Sequence, residues 1–458
     1  MVDRIYQIMP PFLQNLALSL YGVRLRANRY GGAYSGYKKE LDGYMDGMGD
    51  ADRVKEFQCS SIRQIMGYAR KNVPYYAEQY RELPSESKIS LESFSSIVPV
   101  LDKATLKSRS SEFVSRARNE RVVVINTSGS TGSPLSIACT KSSLQKNYAH
   151  FEYFLNSNGI TSFDRSATFA GRKILNPNSG APFCRKNFAM NTLLCSSYHL
   201  SEKNIVSYIN ELNAWAPLYI DSYPSAVYDL VCLAKANGLA FGKSPKCIVT
   251  SSETLFSYQR REIEDFFGCK VYDQYGQAEM AGTLAQYNSE SLYTANPFYG
   301  LVEVLDDEGE QVKPGESGAL VLTGFINSYM PLIRYKIGDN VTVANSEGAF
   351  IGNHALKISE IIGREDDVVV TPEGKKVGRL DPAFKGVVGI GGCQIVQHAL
   401  DRIELRVVPQ GEATDNGVAE LIRNLKERLG ESIAFQVTKV QELEKTKSGK
   451  VKGVISKL

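Results

Sequence analysis

Ten residues, "NTSGSTGSPL" at 126–135, hold seven Ser, Thr or Gly side chains directly after the β-branched run "VVVI" at 122–125. Consecutive backbone N–H groups in such a loop can donate to phosphate oxygens. Ser128, Ser130 and Thr131 add hydroxyls, and Gly129 and Gly132 permit close backbone approach. The pattern is not G-x-x-x-x-G-K-[ST], which excludes a P-loop NTPase. In "VYDQYGQAEMAG" (271–282), Glu279 follows a strand end at Tyr275-Gly276, a place where a carboxylate is suited to hold Mg2+ on phosphates. In "PLIRYKIGD" (331–339), Asp339 follows a tight Gly turn and suits the two hydroxyls of a ribose. "GREDD" (363–367) sits at a change of texture, and "EKTKSGKVKG" (444–453) is a basic Gly/Ser loop containing Lys450. Each stretch also has a plain structural reading when taken singly: a flexible turn, a helix-capping glutamate, an ordinary Gly-Asp turn, a solvated tail.

The elements that must position these residues can be read from periodicity. Residues 50–82 carry apolar positions at helical spacing until Pro74 ends the element, and a further helix is expected at 103–108. From 122 onward short β-branched runs (122–125, 166–171, 218–222, 247–252, 270–276) alternate with helical stretches at 203–214, 224–237 and 258–267. That alternation predicts βαβ units and a largely parallel sheet. After 296, "GLVEVLDDEGEQVKPGESGALVLTG" reads as antiparallel strands joined by "DDEG" and "KPGESG" turns. A hairpin follows "GREDD". The remainder suits a small α+β domain, with a helix at 416–429 ended by Gly430 and strands at 403–408 and 434–440.

At 458 residues the chain exceeds one compact core, so two or more domains are expected. Its 43% apolar and 22% charged content is that of a soluble globular protein, and a net charge of +3 makes no electrostatic case for nucleic acid. Eight cysteines are scattered without a C-x-x-C pair, which predicts free thiols and neither a disulfide framework nor structural zinc. Cys184, Cys195 and His199 are the nearest grouping of metal-ligand types. The first segment, "MVDRIYQIMPPFLQNLALSLYGVRLR", lacks a basic leader and a cleavage site, and reads as an amphipathic helix suited to peripheral docking. No window reaches the ~18 apolar residues of a membrane span. A cytoplasmic protein, monomer or homodimer, is the expectation.

Taken together, the order and spacing of the five motifs resemble the adenylate-forming superfamily of acyl-CoA ligases, peptide-synthetase adenylation domains and luciferases. "ARKNVPYYAEQY" and "VPVLDKATLKS" resemble its phenylacetate–CoA ligase branch, and "TPEGKKVGRLD" together with the overall length resembles the capsular-polysaccharide-biosynthesis subgroup of that branch. The resemblance implies an α/β fold: a large domain, 1–362, with mixed, mostly parallel sheets flanked by helices plus a β-rich part. A small mobile α+β domain, 363–458, would follow and carry the catalytic lysine.

The same resemblance implies roles by position. Thr127, Ser128, Gly129, Ser130, Thr131 and Gly132 match the loop that grips ATP phosphates. Ser252, Glu253, Tyr275 and Gly276 lie where relatives place residues beside the adenine. Glu279 matches the Mg2+ glutamate, Asp339 the ribose aspartate and Arg364 the arginine that supports it. Asp366 matches the hinge and Lys450 the catalytic lysine. Tyr198, His199, Tyr223, Gln277 and Ala278 are candidates for the acyl pocket. Two departures stand out: Leu135 where many relatives have lysine, and Ala278 where many have Thr in Y-G-x-T-E.

The expected activity is ATP- and Mg2+-dependent conversion of a small carboxylate to an acyl-adenylate, with transfer to CoA or an acyl carrier's phosphopantetheine. The alternatives are transfer to an amine, AMP transfer to a hydroxyl, and a non-catalytic nucleotide-binding scaffold.

Overall fold

A computed structural model describes residues 6–47, 49–117, 120–126, 135–170, 174–176, 178–288, 290–345, 356–364, 369–372, 376–377, 380–384, 387–411, 413–445 and 451–458. The chain divides into two compact units, one made of 1–18, 164–271 and 362–458, the other of 19–163 and 272–361. No helix among the described residues is long and apolar enough to cross a membrane.

In the second unit, the Ala51–Asn72 helix is capped by Asp50, whose carboxylate accepts from Asp52 and Arg53 N–H. It ends at Val73, which is extended because Pro74 follows. Pro74 then occupies the first turn of the short Pro74–Gln79 helix, where a missing N–H has no consequence. The strand after it corrects one expectation. β1 (Val122–Asn126) does not enter a parallel sheet but pairs antiparallel with β2 (Ser136–Thr140) as a separate two-stranded hairpin. The two strands are close in sequence, and a short connection between neighbours favours an antiparallel pair over a crossover.

The parallel pattern belongs to the first unit. β3 (Ser166–Phe169), β4 (Cys184–Asn187), β5 (Thr192–Cys195), β6 (Tyr219–Ser222) and β7 (Cys247–Ser251) lie in the order β7-β6-β3-β5-β4, parallel except for β4. The Ile205–Trp215 and Pro224–Ala236 helices connect them, and their apolar faces pack with the strands around Phe169, Tyr208, Ile220 and Val227.

The second unit continues with β8 (Lys270–Gly276), β9 (Thr283–Ala285), β10 (Tyr293–Ala295), β11 (Gly300–Leu305), β12 (Ser317–Gly324), β13 (Tyr335–Val343) and β14 (Lys357–Arg364). They lie in the order β11-β12-β13-β14-β10-β9-β8. The pairings resolved there, β11–β12, β12–β13, β10–β14, β9–β10 and β8–β9, are antiparallel. Their buried faces share one core with the 51–72 helix and with the 74–113 segment.

The C-terminal segment of the first unit carries the small hairpin β15 (Val369–Val370) and β16 (Lys376–Val377). Beyond it come β17 (Ile390–Ala399), β18 (Arg402–Pro409), β19 (Ala434–Lys439) and β20 (Val454–Ser456), in the order β19-β18-β17-β20. The Thr414–Leu429 helix covers this sheet through Leu421, Leu425 and Leu429, and Gly430 terminates it.

Candidate active site

In the second unit, the turn after β8 is stapled by its own side chains. Gln277 Nε2–H donates to Gly282 O at 2.9 Å, Gln277 Oε1 accepts from Ala281 N–H at 3.2 Å, and Thr283 Oγ1 donates to Tyr275 O at 3.0 Å. Inside this closed turn Gly276 is exposed, Ala278 is half-buried, Glu279 is buried, and Met280 takes a left-handed φ of 53°. Tyr275 reaches out of it: its hydroxyl donates to Asp339 Oδ2 at 2.5 Å, joining positions 64 apart in sequence.

Asp339 owes its position to a bulge in β13. Ala319 pairs with Asn340 and Val321 with Lys336, so one residue of β12 opposes three of β13. The extra residues push Gly338 (φ 89°) and Asp339 out of the ladder. The strand is anchored upstream by Arg334, which is buried and ion-paired with Glu303 at 3.0 Å. Arg334 also donates to Ser95 O and Val98 O, each at 2.6 Å. Burial pushes the Glu303 carboxyl up, and Arg334 beside it partly offsets that.

In the first unit, the second group of predicted residues converges on the Pro224–Ala236 helix. Tyr223 at its N-cap makes no side-chain cap bond, which leaves the first-turn N–H groups needing another acceptor. Glu253 supplies it: Oε2 accepts from Ser225 N–H at 3.0 Å. The other oxygen, Oε1, accepts from Val451 N–H at 2.8 Å, one residue beyond Lys450. Ser252, just before it, is exposed with a left-handed φ of 73°. Lys445 Nζ donates to Ser197 O at 3.4 Å, and Tyr258 stacks on Phe384 with ring centres 5.6 Å apart. Asp229, on the same helix, is pushed up to about 7 by burial, with Lys445 opposing and Glu253 and Glu442 reinforcing the shift.

Near this cluster His199 stacks on Phe183, and both its nitrogens are engaged: Nδ1 with Ser196 Oγ at 2.8 Å, Nε2 with Asn176 O at 3.0 Å. A carbonyl only accepts, so Nε2 carries the proton. A base role for His199 would require one of these bonds to open. Tyr198 and Tyr223 are half-buried.

Thr127 to Gly132, Asp366 and Lys450 lie outside the described residues, as does the side chain of Arg364. Leu135, the departure beside the phosphate loop, is buried in the second unit's core with Ile137. A lysine there would bury an ammonium, which explains an apolar residue at that place. Among the described residues no three His, Cys, Asp or Glu side chains are grouped to hold a metal. A Mg2+ bound through phosphate oxygens, water and one carboxylate does not need such a group, and buried Glu279 fits that single role. Cys184 and Cys195 are free thiols facing each other across β4 and β5.

Two groups were not legible as site-builders: Arg334 and the capping function of Glu253. The available signals were a lone arginine inside the apolar run "PLIRY" and a Pro-initiated helix with no capping residue before it. Ser252, Met280 and Arg334 are three of six non-glycine residues with left-handed φ among those described. All three fall within the motif segments, where backbone strain is characteristically retained for function.

The family model for the CapK C-terminal domain matches residues 369–457. Protein CapK of Staphylococcus aureus is 26% identical over 464 aligned residues that span the whole of both chains. A phenylacetate-coenzyme A ligase of Thermus thermophilus is 23% identical over 332 residues, 70% of this chain and 72% of that one. A 2-hydroxyisobutyryl-CoA ligase, solved in its postadenylation state with 2-HIB-AMP, superposes with a TM-score of 0.67, covering 89% of this chain and 90% of its own at 22% identity. The chain shares the fold of that ligase and is similar in sequence to protein CapK and to a phenylacetate-coenzyme A ligase.

Proposed function

We propose that this chain is an ATP-dependent, AMP-forming acyl ligase. The observation that carries the reading is the Tyr275–Asp339 hydrogen bond, which joins the Y-G-x-x-E and G-D motifs that the resemblance assigns to one nucleotide. In the first half-reaction a carboxylate oxygen attacks the α-phosphorus of ATP, the bond to the β-phosphate oxygen breaks, and pyrophosphate leaves. In the second a thiol sulfur, of CoA or a carrier phosphopantetheine, attacks the acyl carbon and expels AMP, its proton passing to solvent.

In this reading the 127–132 loop holds the phosphates, and Ser252, Glu253, Tyr275 and Gly276 flank the adenine. Asp339 with Arg364 holds the ribose. Tyr198, His199, Tyr223, Gln277 and Ala278 line the acyl pocket. Mg2+, held through Glu279, supplies charge neutralisation at the phosphates. Lys450 neutralises the charge that develops when two anions meet.

Residues 363–458 act as a small mobile domain turning about Asp366, so that Lys450 serves the first step and leaves for the second. The Glu253–Val451 bond supports this, because a backbone contact beside Lys450 is made by a removable side-chain acceptor. The resemblance of "TPEGKKVGRLD" to the capsular-polysaccharide-biosynthesis subgroup is the ground for a place in polysaccharide biosynthesis.

The test is exchange of labelled pyrophosphate into ATP over a panel of carboxylic acids, followed by AMP release on adding CoA. Acid-dependent exchange, with AMP release requiring CoA, is expected. Exchange with no acid, together with AMP attached to a hydroxyl compound, would overturn it.

A further inference from the structure

The Pro11–Arg29 helix turns its polar face inward. Gln14 is 3% exposed and its amide oxygen accepts from Arg185 Nε, while Asn15 Oδ1 accepts from Lys186 N–H at 2.9 Å. The opposite face carries Phe12, Leu16, Leu20 and Val23, which are 68%, 54%, 65% and 58% exposed, and Ile8 before the helix is exposed too. Positions 12, 16, 20 and 23 follow the i+4, i+3 spacing of one helical stripe. Water-facing apolar residues normally occur singly, and a continuous stripe of them marks an interaction surface.

Charge selects the occupant. The helix contains no Asp or Glu and has Arg24, Arg26 and Arg29 at its C-terminal end. Arg26 and Arg29 rest over the rings of Phe163 and Tyr148, at 4.3 and 4.5 Å. A second copy would meet this stripe with the same arginines and no carboxylate to pair with them. An anionic bilayer satisfies both features: acyl chains take the apolar stripe and lipid phosphates take the guanidinium groups. We infer that the Pro11–Arg29 helix lies in the plane of an anionic phospholipid surface and docks the protein on it. The inference is independent of the acyl-ligase reading.

The test is co-sedimentation of the full chain with vesicles of phosphatidylglycerol and phosphatidylcholine, against vesicles of phosphatidylcholine alone. Binding to the anionic vesicles, weakened by salt, is expected. The double change Leu16→Asp/Leu20→Asp should abolish it with an unchanged thermal melt, since both side chains already face water. Arg24→Gln should weaken it roughly fivefold, the share of one arginine near a charged surface. Failure to sediment with anionic vesicles would overturn the inference, as would binding indifferent to Leu16→Asp/Leu20→Asp. So would a solution dimer, seen by light scattering, that the same double change dissolves.

Discussion

The turn at 275–283 and the chain around Val451 both carry motif residues, yet they are held by different means. The first is closed by its own backbone and by Gln277, opens from a paired strand, and stands beside a strand anchored through buried Arg334. Among the described residues, the second is joined to the 164–271 segment of its unit by polar bonds of Glu253 and Lys445, with an aromatic stack of Tyr258 on Phe384 in the same unit. Packed cores resist displacement because every shift opens a void, whereas single hydrogen bonds to water-accessible groups exchange at little net cost. The contrast matches what the proposed function asks of the two places, a turn that stays fixed and a contact that can be given up.

Substitutions at five positions probe this contrast. Arg334→Met should have the largest effect on stability, about 3–5 kcal/mol, because it leaves the Glu303 carboxyl in the core without its ion-pair partner. Thermal and urea denaturation would report it, and a change under 1 kcal/mol would remove the anchoring role. Lys450→Ala should leave the melting curve alone and lower acid-dependent pyrophosphate exchange roughly 10²–10³-fold. Equal loss of stability and exchange would mean that Lys450 is structural.

Glu253→Ala removes the acceptor of both Ser225 and Val451 N–H. A loss of about 1–2 kcal/mol, or roughly tenfold in exchange, is expected. Glu253→Gln, which keeps an acceptor oxygen, should recover part of it. If AMP release to CoA falls as much as exchange does, the bond does not distinguish the two half-reactions.

Asp229 gives the effect most specific to pH. Its carboxyl is raised from 3.8 to about 7, so the folded state holds a proton that the unfolded chain has lost. The stability from this group is fully present below about pH 4 and is lost as pH rises to about 7. Asp229→Asn should flatten that fall in a series of melts. Lys445, Glu253 and Glu442 face the same group, so Lys445→Met should raise the midpoint further.

Much of this was legible beforehand. Periodicity located the Pro224–Ala236 and Thr414–Leu429 helices to within two residues, because their apolar faces repeat at helical spacing and Pro224 and Gly430 mark their ends. The "DDEG" and "KPGESG" turns placed β11 and β12 for the same reason of local chemistry. Strand partners were less legible. β1 reads like any buried strand, and nothing in "VVVI" says whether a neighbour arrives parallel or antiparallel. The bulge that frees Asp339 was likewise hidden, since it depends on the register of β12.

By itself, then, the sequence determined which residue types occur in which order: hydroxyls and glycines at 127–132, Glu279, Asp339, Lys450, and the local elements around them. These follow from side-chain chemistry and short-range backbone preference, which act within a few residues. Only the tertiary structure decided that Tyr275 meets Asp339, that Glu253 caps one helix while holding Val451, and that Leu135 belongs to a core. It also decided that an amphipathic first helix shows its apolar face to solvent. Contacts between residues 64 or 198 apart depend on strand register and packing, which no local pattern encodes.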